Sequence, residues 1–320
     1  MQPEAPTARS GPLPHRLLGN AWIHQHLSSA WLDNPLSFSE FHGIQPLLGW
    51  ALDVTPPADW PAIWHQAPHR ELSATLLQAW RRERTRELFR RRELHQLLPA
   101  LQHGGLRPLL LKGSALAYQV YPHPALRPRC DTDLLVAPGE QQNAIDALQQ
   151  LGYQRATREP WGERLCYQTS LYRQDEDSVT HAVDLHWRIS NRQALADTLD
   201  YSRLAARSQS LAALPGARIP CPIHLLLHAC LHRAAHLREQ REIAGVLQNS
   251  GNRLLWLYDI HLLSTGLDAD DWRRLLDEAR ARGLRALLAD GLRHSQAWFA
   301  TPVPKALLEI LDAPPREPAA

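Results

Sequence analysis

Between residues 71 and 103 the apolar positions Leu72, Leu76, Leu77, Trp80, Leu88, Leu94, Leu97 and Leu98 recur at intervals that fit one face of an α-helix, and Gly104-Gly105 marks its end. The charged run inside it, residues 81–92, reads most simply as the solvated face of that helix; a basic acceptor-binding face is the sharper alternative. The pattern then changes. Leu109, Leu110 and Leu111 form a short apolar run that meets Lys112-Gly113-Ser114, and a helical spacing follows. A loop punctuated by proline leads on to Asp131-Thr132-Asp133 at the head of a second apolar run, Leu134-Leu135-Val136. This order predicts a strand, a tight turn into a helix, and a second strand whose first residues are acidic.

Beyond Pro138-Gly139 the spacing predicts a helix over 141–151, with Gly152 where a C-terminal cap belongs. Two strand-like runs, 165–172 and 179–189, flank the acidic turn Asp175-Glu176-Asp177-Ser178 and predict an antiparallel hairpin. From 195 to 309 the pattern is helical, with turn signals at Leu214-Pro215-Gly216 and Gly251 and strongly apolar stretches at 225–237 and 253–263. Upstream of residue 71, apolar patches broken by Pro35, Pro46, Pro56, Pro57 and Pro61 predict short helices joined by loops. Residues 1–15, rich in Pro, Ala and polar residues, predict a disordered tail. The chain therefore divides into a tail (1–15), an N-terminal helical region (16–70), a mixed core (71–192), a C-terminal helical domain (193–312) and a last tail (313–320).

Composition narrows the function classes. At 320 residues and 44% hydrophobic content the chain can bury a large core, and a net charge of +2 gives no reason to expect a general nucleic-acid-binding surface, though a local patch remains compatible with an RNA acceptor. No apolar run reaches the roughly 18–20 residues of a membrane span, and the first residues lack the apolar core of a signal peptide, so no membrane association and a cytoplasmic location are the expectation. Cys130, Cys166, Cys221 and Cys230 form no CxxC pair and read as reduced thiols. Lysine occurs only as Lys112 and Lys305 among 35 basic residues. A compact ammonium directly before the Gly-Ser turn, in a chain that otherwise uses arginine, points to a specific role for Lys112.

The chemistry concentrates around that turn. In a strand Asp131 and Asp133 share one face with Cα atoms roughly 6.5–7 Å apart, a placement that lets two carboxylates hold hard divalent cations. Gly113 permits close backbone approach, and the amides of Ser114 and the following helical turn form an anion site of the kind that receives phosphate. Both halves suit one ligand, a nucleoside triphosphate with its metal. On the second arm of the hairpin Asp184 lies between Val183 and Leu185, a poor choice for a buried strand unless something offsets its charge. Taken alone, Asp184 could equally cap an edge or pair with an arginine.

Gly-Ser, a helix and then Asp-x-Asp on a strand resembles the first motif of nucleotidyltransferases with a DNA polymerase β-like fold. The fuller string, Lys112-Gly113-Ser114-Ala115-Leu116, Tyr121-Pro122, Arg127-Pro128 and Asp131-Thr132-Asp133-Leu134-Leu135-Val136, is similar to a bacterial family of uncharacterised nucleotidyltransferases. Arg253-Leu254-Leu255-Trp256-Leu257-Tyr258-Asp259 extends the resemblance, which then covers residues 70–265. It implies an α+β fold: a polymerase β-like core, a mixed sheet with helices on one face, flanked by N-terminal and C-terminal helical regions. It also implies transfer of a nucleoside monophosphate from an NTP to an acceptor, with release of pyrophosphate. Asp131, Asp133 and Asp184 would bind Mg²⁺ (or Mn²⁺), Asp184 being the best placed to help activate the acceptor, while Lys112, Gly113 and Ser114 would hold the triphosphate and Arg127 would neutralise phosphate charge. The acceptor, whether small molecule, peptide, protein or RNA end, has no readable code. The alternative is a nucleotide-binding or regulatory protein that keeps this fold without turnover.

His224, His228, His232 and His236 recur every four residues. Such a ladder drifts by about 40° per step around a helix of 3.6 residues per turn, so at most neighbouring members could share a zinc ion, and no HExxH glutamate is present. The expectation is a structural role.

Overall fold

The computed structural model describes residues 34–67, 69–155, 166–243 and 246–312. The tail 1–15, residues 16–33 of the N-terminal region, residue 165 at the start of the expected hairpin and the tail 313–320 lie outside the described residues. In chain order the elements are α1 (Pro35–Phe41), α2 (Gln45–Val54), α3 (His69–His103), β1 (Leu109–Leu110), α4 (Lys112–Gln119), β2 (Thr132–Leu135), α5 (Gln141–Gln150), β3 (Gln154–Arg155), β4 (Gln168–Gln174), β5 (Thr180–His186), α6 (Gln193–Ala196) and α7 (Tyr201–Ala206). They continue with β6 (Gln209–Ser210), β7 (Arg218–Ile219), α8 (Pro222–Ala235), β8 (Gln240–Ile243), β9 (Val246–Asn249), α9 (Leu254–Thr265), α10 (Ala269–Ala281), α11 (Arg285–Phe299) and α12 (Lys305–Asp312).

Five strands form one mixed sheet in the order β1-β2-β5-β4-β3. Only the β2–β5 pair is parallel; β1–β2, β5–β4 and β4–β3 are antiparallel. The fold is thus α+β, and the expected hairpin is present as β4–β5. Alternation along β5 explains its orientation: Val183 and Leu185 are fully buried, whereas Ala182 and Asp184 on the other face are half-exposed. After α5 the chain turns at Gly152, whose φ of +88° lies in the left-handed region that favours glycine. The region after 193 is mostly helical, but two small hairpins, β6–β7 and β8–β9, interrupt it. Their two- and four-residue strands are too short to break a helical reading of the sequence.

Burial corrects one expectation. The charged run 81–92 of α3 is not simply a solvated face, because Glu83 and Glu87 within it are 6% and 5% exposed, and Glu93 directly after it is 4% exposed. The body of the protein presents cations and hydroxyls to Glu87 and Glu93, whereas Glu83 pairs with Arg86 and Arg90 of α3 itself. Glu87 accepts from Tyr118 Oη at 2.5 Å and pairs with Arg129 at 2.9 Å, and Glu93 accepts from Tyr153 Oη at 2.6 Å and pairs with Arg173. Buried carboxylates persist where each is partnered in this way.

Buried hydrophobic side chains from Phe38 to Leu311 make one connected cluster, so the helices before and after the sheet share its core. Among the described residues no helix is long and apolar enough to cross a membrane.

Candidate metal and nucleotide site

The site grows out of the β1–α4 turn. Leu111 N–H donates to the Asp133 carbonyl at 3.0 Å, which sets the end of β1 against the acidic end of β2. Lys112 then adopts φ +44°, in the left-handed region, uncommon for a residue with a Cβ. This strained turn delivers its ammonium to Asp133 Oδ1 at 2.6 Å. Burial alone would pull the Lys112 pKa down, but the charge of Asp133, with Asp131 and Asp184 behind it, outweighs that and raises it.

Asp133 is 3% exposed and sits in register with Asp184 on the parallel neighbour β5. His186 Nε2 donates to Asp133 Oδ1 at 2.9 Å, and Ser170, cross-strand from Asp184 on β4, donates its hydroxyl to Asp184 Oδ1 at 2.5 Å. Burial pushes the Asp133 carboxyl up, yet Lys112 and then His186 overcome it and hold Asp133 well below the usual carboxylate range. Asp131 stands just before β2 and is half-exposed. Burial, then the charges of Asp133 and Asp184, push its pKa up to about 6.

One ligand atom from each of Asp133, Asp184 and His186 lies within 4.8 Å of the others. Two carboxylates and an imidazole are a donor set for a divalent cation. Two signs fit that reading: His186 Nδ1 is buried without a hydrogen-bond partner, and the Asp131 pKa is raised by burial and then by the charges of Asp133 and Asp184. The geometric cluster differs from the expected Asp131, Asp133 and Asp184 set by including His186 in place of Asp131. The signal for His186 was in the alternation of β5, which puts residues 184 and 186 on one face. Ser170 had no such signal, because only the strand register aligns it with Asp184.

The remaining expected residues fall into different surroundings. Lys112, Gly113, Arg127, Asp131 and Asp133 all border one cleft of about 730 Å³. Ser114 is fully buried and its hydroxyl makes a long, 3.5 Å hydrogen bond to the Asp131 carbonyl, so it ties the α4 turn to the acidic strand. A Cβ on Gly113 would meet the Arg129 side chain at 3.2 Å, so glycine there makes room for the Arg129 stem. Arg127 is 6% exposed and its guanidinium is engaged by Asp259 on α9, through Nε at 2.8 Å and Nη2 at 2.8 Å. Tyr121 Oη also donates to Asp259, at 2.7 Å. Arg127 and Arg129 therefore anchor the loop before Asp131 to two helices, α9 through Asp259 and α3 through Glu87. Neither acidic partner was identifiable from sequence, since each lies far away along the chain.

The histidine ladder fans out along α8 and its C-terminal end. His224 is fully buried with its Nε2 4.0 Å from Glu278, His228 borders a small pocket beside Lys112, and His232 and His236 face the large cleft. Among the described residues the one cluster of three potential metal ligands is that of Asp133, Asp184 and His186.

A family model described as "Uncharacterised nucleotidyltransferase" matches residues 31–300, so the chain belongs to that nucleotidyltransferase family. No curated protein matches the sequence. Among solved structures, the antibiotic-resistance factor ANT(2'')-Ia is 14% identical with a TM-score of 0.40, over 65% of this chain and 98% of its own. An antigenic nucleotidyltransferase-like protein from Paracoccidioides brasiliensis is 13% identical with a TM-score of 0.35, over 62% and 91% respectively.

Proposed function

We propose that this protein transfers a nucleoside monophosphate from an NTP to an acceptor and releases pyrophosphate, with Mg²⁺ or Mn²⁺ as its cofactor. The observation that carries the reading is the in-register pair Asp133 and Asp184, with His186 beside it, next to the cleft into which the Lys112-Gly113 turn opens. Asp133, Asp184 and His186 are the residues that would hold the cation, with Asp131 at its edge; when bound, the ion supplies Lewis acidity at the phosphate and at the acceptor oxygen.

The chain's own groups have separable tasks. Asp133 is ionised throughout the neutral range because Lys112 and His186 stabilise its charge. Without a cation the Asp131 pKa is pushed up to about 6 by burial and then by Asp133 and Asp184, and a bound divalent ion would relieve that repulsion and favour its ionised form. Asp184 keeps the position opposite Asp133 through Ser170. Lys112 supplies positive charge where a triphosphate would lie, and its pairing with Asp133 can be exchanged for a phosphate oxygen. Arg127 contributes through its hold on the Asp131 loop, because its guanidinium is already committed to Asp259. In this reading residues 71–192 carry the chemistry and residues 193–312 close the cleft on one side.

The test is to incubate the protein with each α-labelled NTP, Mg²⁺ or Mn²⁺ and a cell lysate, and to locate the label. Label moved to a lysate component by the wild type but not by Asp133→Asn supports transfer. Absence of any labelled product with all four NTPs and both ions counts against it.

A further inference from the structure

The C-terminal wall of the cleft has no part in the roles assigned above, yet it is built from groups suited to a ligand. Trp256 on α9 is half-buried, and two imidazoles from the end of α8 pack around it: His232 with ring centroids 4.5 Å apart at 68°, His236 at 5.1 Å and 45°. Arg253, just before α9, brings its guanidinium carbon to 5.2 Å from the Trp256 ring centroid, and its Nε donates to the Phe41 carbonyl at 2.7 Å. Arg253 is half-buried, and burial, then the neighbouring cations Arg127 and Arg241, lower its pKa. A desolvated guanidinium among like charges is a site that an anion relieves. These four side chains line the same cleft as Lys112 and Gly113, and His232, Trp256 and Lys112 also share a smaller adjoining pocket.

We propose that this wall is the nucleoside subsite. The base packs against the accessible part of Trp256 with His236 at its edge, and Arg253 meets the charge where the nucleoside joins its phosphates. The inference rests on the nucleotidyl-transfer reading and adds to it the residues that bind the part of the substrate no carboxylate or lysine contacts. Aromatic surfaces accept any base, because every base has a π-face, and a stacked base contributes about 1–3 kcal/mol by alanine substitution. A guanidinium over an indole adds a polarisable, cationic lid to such a site. The position follows from the floor of the cleft: phosphates near Lys112 leave the nucleoside to extend along the neighbouring wall, and His232 is close enough to Lys112 to feel its charge.

The experiment compares probes with and without a base. Binding of ATP, GTP, CTP, UTP and inorganic tripolyphosphate, each with Mg²⁺, is measured by calorimetry on the full chain and on Trp256→Ala, Trp256→Phe and His236→Ala. Trp256→Ala should weaken the NTPs about 5- to 150-fold, the stacking contribution converted to affinity, and leave tripolyphosphate within about twofold. Trp256→Phe should retain most of the NTP affinity, and His236→Ala should lose NTP affinity selectively but to a smaller extent. Equal loss for NTPs and tripolyphosphate, or no loss for either, overturns the subsite. Should Trp256→Ala fail to fold by circular dichroism, His236→Ala decides, and unchanged NTP affinity in it overturns the proposal. Wild-type protein that binds neither NTPs nor tripolyphosphate refutes nucleotidyl transfer itself, and the subsite with it; tripolyphosphate bound as tightly as every NTP refutes only the subsite.

Discussion

Asp133 and Asp184 face each other in register across two parallel strands, and each carboxylate is held by a different partner, Asp133 by Lys112 at 2.6 Å and Asp184 by Ser170 at 2.5 Å. This difference separates two substitutions that would otherwise look alike. Asp184→Asn keeps an oxygen for the Ser170 hydroxyl and removes a charge that repels Asp131, so the metal-free protein should melt no lower than wild type. Its transfer activity should fall by more than the roughly 10–100-fold that loss of an outer partner costs a metal site. Asp133→Asn should lose activity and also melt lower, because Lys112 is left without its counter-charge. Melting curves with chelator present, set beside label-transfer rates, check both; an Asp184→Asn variant with wild-type transfer makes Asp184 a structural residue.

His186 adds a nitrogen to a set of oxygens, and imidazole suits Mn²⁺ better than Mg²⁺, which prefers an all-oxygen shell. Mn²⁺ should therefore bind more tightly than Mg²⁺, and His186→Ala should narrow the gap by weakening Mn²⁺ by more than the roughly 10- to 100-fold that loss of an outer partner costs. Titration of free Mn²⁺ by electron paramagnetic resonance reads this directly. An unchanged Mn²⁺ affinity in His186→Ala would falsify a ligand role.

Several histidines are buried in the neutral form. Burial, then Arg253, lowers His42 to about 3; burial, then Lys112, lowers His228 to about 3; His123, His224 and His232 are lowered mainly by burial as well. Each contributes stability that is fully present above the unfolded value near 6.5 and is lost as pH falls toward the folded value, because the unfolded chain binds the proton first. The limiting slope is about 1.4 kcal/mol per pH unit for each such group. Asp131 acts in the opposite direction between about 6 and 3.8, where the folded state is the one that binds the extra proton. Asp259, also raised by burial, acts in the same sense as Asp131, but two carboxyls do not offset five imidazoles, so denaturant midpoints should fall between about pH 6.5 and 4.5. His228→Gln should make the fall shallower.

Lys112 occupies a backbone conformation that costs a residue with a Cβ about 1–2 kcal/mol. Both Lys112→Ala and Lys112→Gly remove the ammonium from Asp133, but only glycine relieves the backbone. Lys112→Gly should therefore be more stable than Lys112→Ala by about 1 kcal/mol, the reverse of the usual order inside a helix. Urea titrations of the two variants check the sign.

The parts of this fold legible in sequence are those set by local periodicity. The α3 spacing, the β1–α4–β2 order, the β4–β5 hairpin and the glycine turn at 152 all follow from patterns within a dozen or so residues, and the Lys112-Gly113 and Asp131–Asp133 stretches come to one cleft as their strand-turn-helix reading implied. What escaped were pairings made by register or by tertiary contact. Asp259 for Arg127, Glu87 for Arg129 and Ser170 for Asp184 lie 132, 42 and 14 positions away from the residues they hold. Charge alone made α3 look solvated, because a glutamate beside arginines in sequence gives no sign that a tyrosine and an arginine from elsewhere will bury it.

The two arginines that anchor the loop before Asp131 also decide where this protein can be cut. A fragment ending at residue 192 would retain Arg129 with Glu87 but lose Asp259 together with the α8 and α9 side chains that cover Arg127, so that anchor of the Asp131 loop would be gone and Arg127 would face water. Within the full chain, where α8 and α9 keep Arg127 buried, removing Asp259 alone would cost about 3–5 kcal/mol, a large share of the 5–15 kcal/mol by which a typical protein is stable. The segment that carries the carboxylates is therefore not portable by itself, and a smaller scaffold would have to supply both an acidic partner for Arg127 and the apolar cover that α8 and α9 give it.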